Sequence, residues 1–221
     1  MSDAKLIEGI AAPLPTPNLD TDQIMPKQFL RGIDKAGLAQ GLLYDLRFDA
    51  DHRPRADFVL NRPGYQGATI LVGGSNFGCG SSREHAVWGL QQFGIEAVIA
   101  PSFGEIFYSN AMNNRLLLVM LDAADIARIL ADVADPATAA VTIDVERMVV
   151  RSHRVELPFA LSERHRRMFL EGLDMIGATL ALTPEIEAFQ RTHWQARPWL
   201  RDVAAVTRAR LDRKDDGSGA A

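Results

Sequence analysis

Residues 68–86 read ATILVGGSNFGCGSSREHA. The apolar run 68–73 is short and continuous and ends at Gly73-Gly74, the pattern of a buried strand. NFGCGS then makes a tight turn. A helix is expected over 82–93, with Ala86, Leu90 and Phe93 on one face. The alternation continues downstream. EAVIAP (96–101) is a second buried strand, and SFGEIFYSNAMNN (102–114) a helix with Ser102 as N-cap and Glu105 at the capping-box position. LLLVML (116–121) is a third strand. Strand–helix–strand–helix–strand over 68–121 argues for an α/β fold with a mainly parallel sheet.

Upstream, residues 4–12 suit a first strand. The proline-rich PLPTPNLDTDQIMP (13–26) suits an ordered loop around a short extended segment, because proline fixes φ and removes a donor. A short helix is expected over 34–44 and a long loop over 45–66, where charges and prolines break any period. The loop 27–58 as a whole is expected to order only on binding a substrate or partner. Downstream, residues 122–133 form an amphipathic helix, and VTIDVE, MVVRS and RVELP alternate as antiparallel strands at the edge of the domain. Short helices are expected near 162–171, 173–179 and 183–190. The domain is placed at 1–190, followed by an Arg-rich helical extension, 191–221, whose last ten residues are expected to be disordered.

The chain has 221 residues, enough for one domain with a sizeable core. Its net charge of -4 gives no global attraction to nucleic acid or an anionic membrane. A single cysteine, Cys79, excludes an internal disulfide and any structural zinc site built on paired cysteines. There is no secretory pattern at the start and no apolar run long enough to span a membrane, so a cytoplasmic location is expected.

What can NFGCGSSREHA do? Gly73 and Gly78 have the spacing of a phosphate loop, but Cys79 stands where lysine must reach the phosphates. Gly78 and Gly80 fit a dinucleotide fingerprint, but Arg83 stands at its third glycine. Cys79 lies near a helix start, where a thiolate is stabilised, yet no second feature marks a Cys–His pair with His85. A small packed thiol is the plainer role. Ser81 to Glu84 has the spacing of a capping box. With glycines before it, the hydroxyls of Ser81 and Ser82 and the fork of Arg83, it suits a carboxylate-binding corner at a helix start. Spacing alone equally allows an ordinary capped helix with a solvated Arg83.

Five segments taken in order carry a resemblance: NLDTDQIMPKQFL (18–30), DFVLNRPGYQGATIL (57–71), GCGSSREHA (78–86), VIAPSFGEIFYSN (98–110) and EGLDMIG (171–177). Together they resemble the small subunits of 3-isopropylmalate dehydratases, in the swivel-domain branch of the aconitase superfamily. The likeness runs from about residue 5 to 190 and implies a swivelling β/β/α domain. It also implies a hydro-lyase active only with a large subunit, in leucine biosynthesis, removing and readding water on a small hydroxy diacid. Paralogous small subunits act on citraconate or citramalate, dimethylmaleate or related diacids. On this resemblance Ser81 is the catalytic base, Ser82 and Arg83 hold substrate carboxylates, and Asp22, Lys27 and Arg31 add substrate contacts. The Asp20-Thr21-Asp22 loop is expected to meet substrate or partner. The family's 4Fe-4S cluster needs about three or four thiolates. One cysteine cannot supply them, so the cluster is expected on the large subunit, with no cofactor or metal held by this chain. An RNA-binding role, known among aconitase relatives, is disfavoured by the acidic charge and the lack of basic–aromatic stripes. Three positions depart from the usual pattern: Val87 and Leu118 stand where proline is frequent, and Leu46 where tryptophan is.

Overall fold

The computed structural model describes residues 6–30 and 37–215, with side chains to residue 212. The chain divides into two compact units, Met1–Met175 and Ile176–Ala221.

The first unit is organised by β1 (Leu6–Leu14), which pairs with a different strand along each half of its length. Its second half runs parallel to β2 (Ile70–Gly73), from Ala11 opposite Ile70 to Leu14 opposite Gly73. β3 (Ala97–Ala100) and β4 (Leu117–Met120) continue the parallel ladder. The first half of β1 pairs antiparallel with β5 (Ala140–Asp144), followed by antiparallel β6 (Val149–Arg151) and β7 (Glu156–Pro158). The sheet order is β4-β3-β2-β1-β5-β6-β7. Every residue of β2 and β3 is buried, as expected for parallel strands covered on both faces. In β5 only Val141 and Ile143 point inward, so the antiparallel edge keeps the alternation that the sequence showed.

Before β2 come three one-turn helices, α1 (Thr21–Ile24), α2 (Leu38–Gly41) and α3 (Tyr44–Arg47). Helices α4 (His85–Phe93) and α5 (Glu105–Asn113) form the crossovers β2–α4–β3 and β3–α5–β4. They are followed by α6 (Ala123–Val133) and, after β7, α7 (Glu163–Leu170). The strands, both crossover helices and the antiparallel edge match the expectation.

Several local expectations are corrected. Segment 45–66 is not featureless. It starts in α3 and contains tight turns at Val59–Asn61 and Pro63–Tyr65. Asn61 ties it together by donating to the carbonyls of Arg47 (2.6 Å) and Arg55 (2.9 Å). Of the helix expected over 34–44, residues 34–36 lie outside the described residues, and the rest is broken into α2 and the first residue of α3, with Leu42 and Leu43 forming a turn between them. Helix α5 starts at Glu105 with Gly104 as N-cap and no side-chain cap. The Ser102 hydroxyl instead accepts the N–H of Asn76 at 2.8 Å, because a neighbouring loop needs an acceptor there.

Helix α8 (Met175–Leu180) begins on the last residue of the first unit; α9 (Thr183–Ala196) and α10 (Val203–Asp215) lie in the second. Helix α9 runs past the expected end at 190. Residues 212–215 are helical rather than disordered, and 216–221 lie outside the described residues. Among described residues, no helix is long and apolar enough to cross a membrane.

One buried carboxylate ties the crossover side of the first unit to its antiparallel edge. Asp132, in the last turn of α6, is 1% exposed. It accepts the Ser152 hydroxyl at 2.6 Å, the Arg154 backbone N–H at 2.8 Å and Arg154 Nε at 2.5 Å. Burial by itself pushes the carboxyl up, but the Ser152 and Arg154 bonds outweigh it and hold it at about 2. Its folded value therefore lies below its unfolded one. The stabilisation is fully present above the ordinary carboxylate value of roughly 4 and is lost as pH falls toward about 2. Replacement by Asp132→Asn is expected to destabilise the protein at neutral pH by on the order of 2 kcal/mol. Denaturant titrations of the two proteins at pH 7 and at pH 3 check this: the gap narrows at the lower pH.

Candidate active site

Three loops leave the carboxyl ends of parallel strands β1, β2 and β3, the edge where open α/β sheets bind ligands. Backbone bonds join all three. Gly78 N–H donates to Leu19 O at 2.7 Å, and Thr21 N–H to Cys79 O at 2.8 Å. Phe77 N–H donates to Ser102 O at 3.0 Å, and Gly104 N–H to Phe77 O at 2.9 Å. A Cβ on Gly104 would stand 2.7 Å from the Gly78 carbonyl oxygen, so only glycine lets the third loop approach this closely.

Ser81 lies where the first two loops meet. Its backbone N–H donates to the Thr21 hydroxyl at 2.9 Å. The Thr21 hydroxyl in turn donates to Ser81 Oγ at 3.0 Å, and Arg83 Nε donates to the same oxygen at 3.1 Å. The Ser81 oxygen therefore already receives two donors, one of them cationic. Arg83 also pairs through Nη2 with Asp22, whose other oxygen meets Lys27 Nζ at 3.3 Å. Arg83 is 39% exposed, so part of its fork faces solvent. Thr21, Met25, Leu30, Ser81, Arg83 and His85 border a crevice too narrow to admit a water molecule.

The structure thus brings Ser81, Arg83, Asp22 and Lys27 together. Ser82 is exposed next to them, and its carbonyl is held by Asn110 Nδ2 at 3.1 Å. Arg31 lies outside the described residues. The capping box expected at Ser81–Glu84 is absent. Helix α4 begins at His85, Glu84 is its N-cap, and no side chain caps it. The Ser81 N–H, which a capping box would give to the Glu84 side chain, goes to the Thr21 hydroxyl. Glu84 is held by Asn114 Nδ2 at 3.0 Å instead. The electrostatic support of the Ser81 oxygen therefore comes from Arg83 and Thr21, rather than from a helix terminus.

The box lies elsewhere. Asp20 caps α1 by accepting Gln23 N–H at 2.7 Å, and Gln23 Oε1 accepts Asp20 N–H at 3.0 Å. The segment 13–26, expected as a loop around a short extended stretch, therefore contains a capped helical turn instead. Asn110 on α5 and Asn114, its C-cap, are further site-building residues that sequence inspection missed; only their i, i+4 spacing could have hinted at them. Cys79 Sγ lies 3.5 Å from the Asn18 carbonyl, and the His85 ring packs 5.0 Å from that of Trp88. Neither contact makes a thiol–imidazole pair.

Chemically, the corner combines an oxygen held by two donors with two cations on a shared carboxylate. It suits proton transfer at a carbon of an anionic substrate. It does not suit cluster ligation. The chain has one cysteine, and among described residues no group of three or more His, Cys, Asp and Glu side chains is placed to hold a metal ion.

Comparison with known proteins places this arrangement in a family. The aconitase C-terminal domain model matches residues 1–124. The chain is 70% identical over 205 residues to 3-isopropylmalate dehydratase small subunit 1 of Chromobacterium violaceum, covering 93% of this chain and 97% of the relative. It is 46% identical over 205 residues to small subunit 2 of Salmonella typhimurium, covering 93% and 99%. A crystal structure of 3-isopropylmalate dehydratase from Methanocaldococcus jannaschii superposes with a TM-score of 0.61 at 27% identity, covering 84% of this chain and 99% of that one. With the strand order, the three-loop corner and these matches together, the chain belongs to the family of 3-isopropylmalate dehydratase small subunits, built on the aconitase C-terminal domain.

Proposed function

We propose that this chain is the catalytic-base subunit of a cytoplasmic heteromeric hydro-lyase that interconverts 2-isopropylmalate and 3-isopropylmalate in leucine biosynthesis. Membership of a small-subunit family implies a large-subunit partner. The 4Fe-4S cluster belongs to that partner, since this chain lacks the ligands for one. No nucleic acid or membrane is part of this function, consistent with a net charge of -4.

The observation that carries the proposal is the Ser81 oxygen, bonded by Arg83 Nε at 3.1 Å within an ion-paired corner. A serine hydroxyl is a weak base in water. Donors that remain bonded to its oxygen after deprotonation favour the alkoxide. Ser81 takes the proton from the carbon adjacent to the one bearing hydroxyl. The C–H electron pair becomes the second bond of the alkene as the neighbouring C–O bond breaks, and the departing hydroxide takes a proton from solvent and leaves as water. On readdition, Ser81 returns its proton to carbon. Arg83 and Ser82 hold a substrate carboxylate, and the exposed part of the Arg83 fork is available for it. Lys27 and Arg31 add positive charge, and Asp22 orients Arg83 and Lys27 toward the substrate.

Three outcomes are expected of the chain purified anaerobically with its large subunit. Ser81→Ala assembles but lowers kcat by about 10²–10⁴-fold, the usual effect of losing a general base; wild-type turnover would place the base elsewhere. Arg83→Lys raises KM, because a point charge cannot reproduce a fork that meets Ser81, Asp22 and a carboxylate together. In steady-state assays across isopropylmalate, citraconate, dimethylmaleate and cis-aconitate, kcat/KM is highest for isopropylmalate. Preference for another diacid would move the chain to a different pathway while keeping the chemistry of the corner.

A further inference from the structure

We propose that Thr21 is a positioning residue that sets the reactive state of the Ser81 hydroxyl, an inference that rests on Ser81 being the base. Thr21 is 4% exposed and is one of two buried polar or charged residues among those described. Its hydroxyl has one proton and two lone pairs. One lone pair accepts the Ser81 backbone N–H at 2.9 Å, which fixes the orientation of the hydroxyl. The proton then goes to Ser81 Oγ at 3.0 Å. One side chain therefore holds both the main chain and the oxygen of the same serine.

With Arg83 Nε as the second donor, the Ser81 oxygen has both lone pairs engaged and its own proton left over. Loss of that proton breaks neither bond, and both strengthen as the oxygen becomes anionic. The site is thus arranged for the alkoxide in advance. Arg83 brings charge on a long, part-exposed side chain. Thr21 brings a buried donor with little freedom at χ1.

Three features keep Thr21 in place. Its own N–H is bonded to Cys79 O at 2.8 Å. Asp20 and Gln23 cap the turn in which it sits. Gly80, at φ +103°, approaches so closely that a Cβ there would stand 3.3 Å from the Thr21 hydroxyl oxygen.

The test compares Thr21→Val and Thr21→Ser, each purified with the large subunit, by kcat, KM and the pH profile of kcat. Thr21→Val is expected to lower kcat about 10- to 100-fold, the worth of one hydrogen bond to a charged oxygen. KM should change by about twofold or less, and the acid limb of the profile should move to higher pH, because a base without its donor needs a higher pH to ionise. Thr21→Ser should restore most of kcat and return the limb. Should Thr21→Val fail to assemble, Thr21→Cys, similar in size with a weak S–H donor, takes its place with the same expectation. A kcat loss with an unmoved limb, or no rescue by Thr21→Ser, would leave Thr21 with a purely structural role and overturn the inference. Ser81→Ala separates the two levels. If it retains wild-type turnover, the assignment of the base has failed. If it is inactive while Thr21→Val keeps the wild-type rate and profile, the Thr21 inference alone has failed.

Discussion

The corner depends on one constraint: β1 and β2 are parallel neighbours, and their register survives beyond the strands. Leu14 faces Gly73 at the end of the ladder. Six residues further along both chains, Asp20 again bridges Cys79 in the parallel sense. Two loops of equal length therefore leave the sheet side by side and close on each other. That closure brings Thr21 to Ser81 and Asp22 to Arg83, 60 and 61 residues apart in sequence. A one-residue change in either loop would separate the hydroxyls, just as a register slip in a sheet moves every side chain to the wrong face. The third loop, from β3, supports the second from behind through Ser102 and Gly104.

Two buried polar or charged residues stand out among those described, and they serve different ends. Asp132 holds Ser152 and Arg154 and joins α6 to the antiparallel edge. Thr21 joins the loops that follow β1 and β2. Each is acceptable in the core because it is bonded; a buried polar group left without partners costs about 1–3 kcal/mol. The exposed ion pairs around Asp22 work differently. Pairs of this kind add little to stability, about 0–1 kcal/mol. Their effect here is to hold two cations, Arg83 and Lys27, on one carboxylate beside Ser81.

The departures from the family pattern fit this frame without strain. Val87 N–H donates to Glu84 O at 2.9 Å, a bond that proline could not make, so the first turn of α4 gains a link here. Leu118 lies on β4, the edge strand of the sheet, where proline and leucine are both tolerated. Leu46 packs partly buried against the core. None of the three touches the Ser81 oxygen.

Much of the scaffold was legible in the sequence. The continuous apolar runs at 68–73, 96–101 and 116–121 marked parallel strands because burial on both faces removes the polar alternation. The alternating runs at 140–158 marked the antiparallel edge for the opposite reason. The motifs around GSSRE and DTD identified the family and the catalytic candidates. What the sequence misplaced were the helix starts. Ser81 and Ser102 are well-spaced caps, but both turn to neighbouring loops, since local spacing cannot reveal a partner 60 or 26 residues away. The chain by itself determined which residues are candidates for the chemistry and which segments form the sheet. Only the tertiary structure decided that the Ser81 oxygen is held by a buried threonine and an arginine rather than by a helix end, because hydrogen bonds across a sheet edge depend on register, and register is a property of the paired strands together.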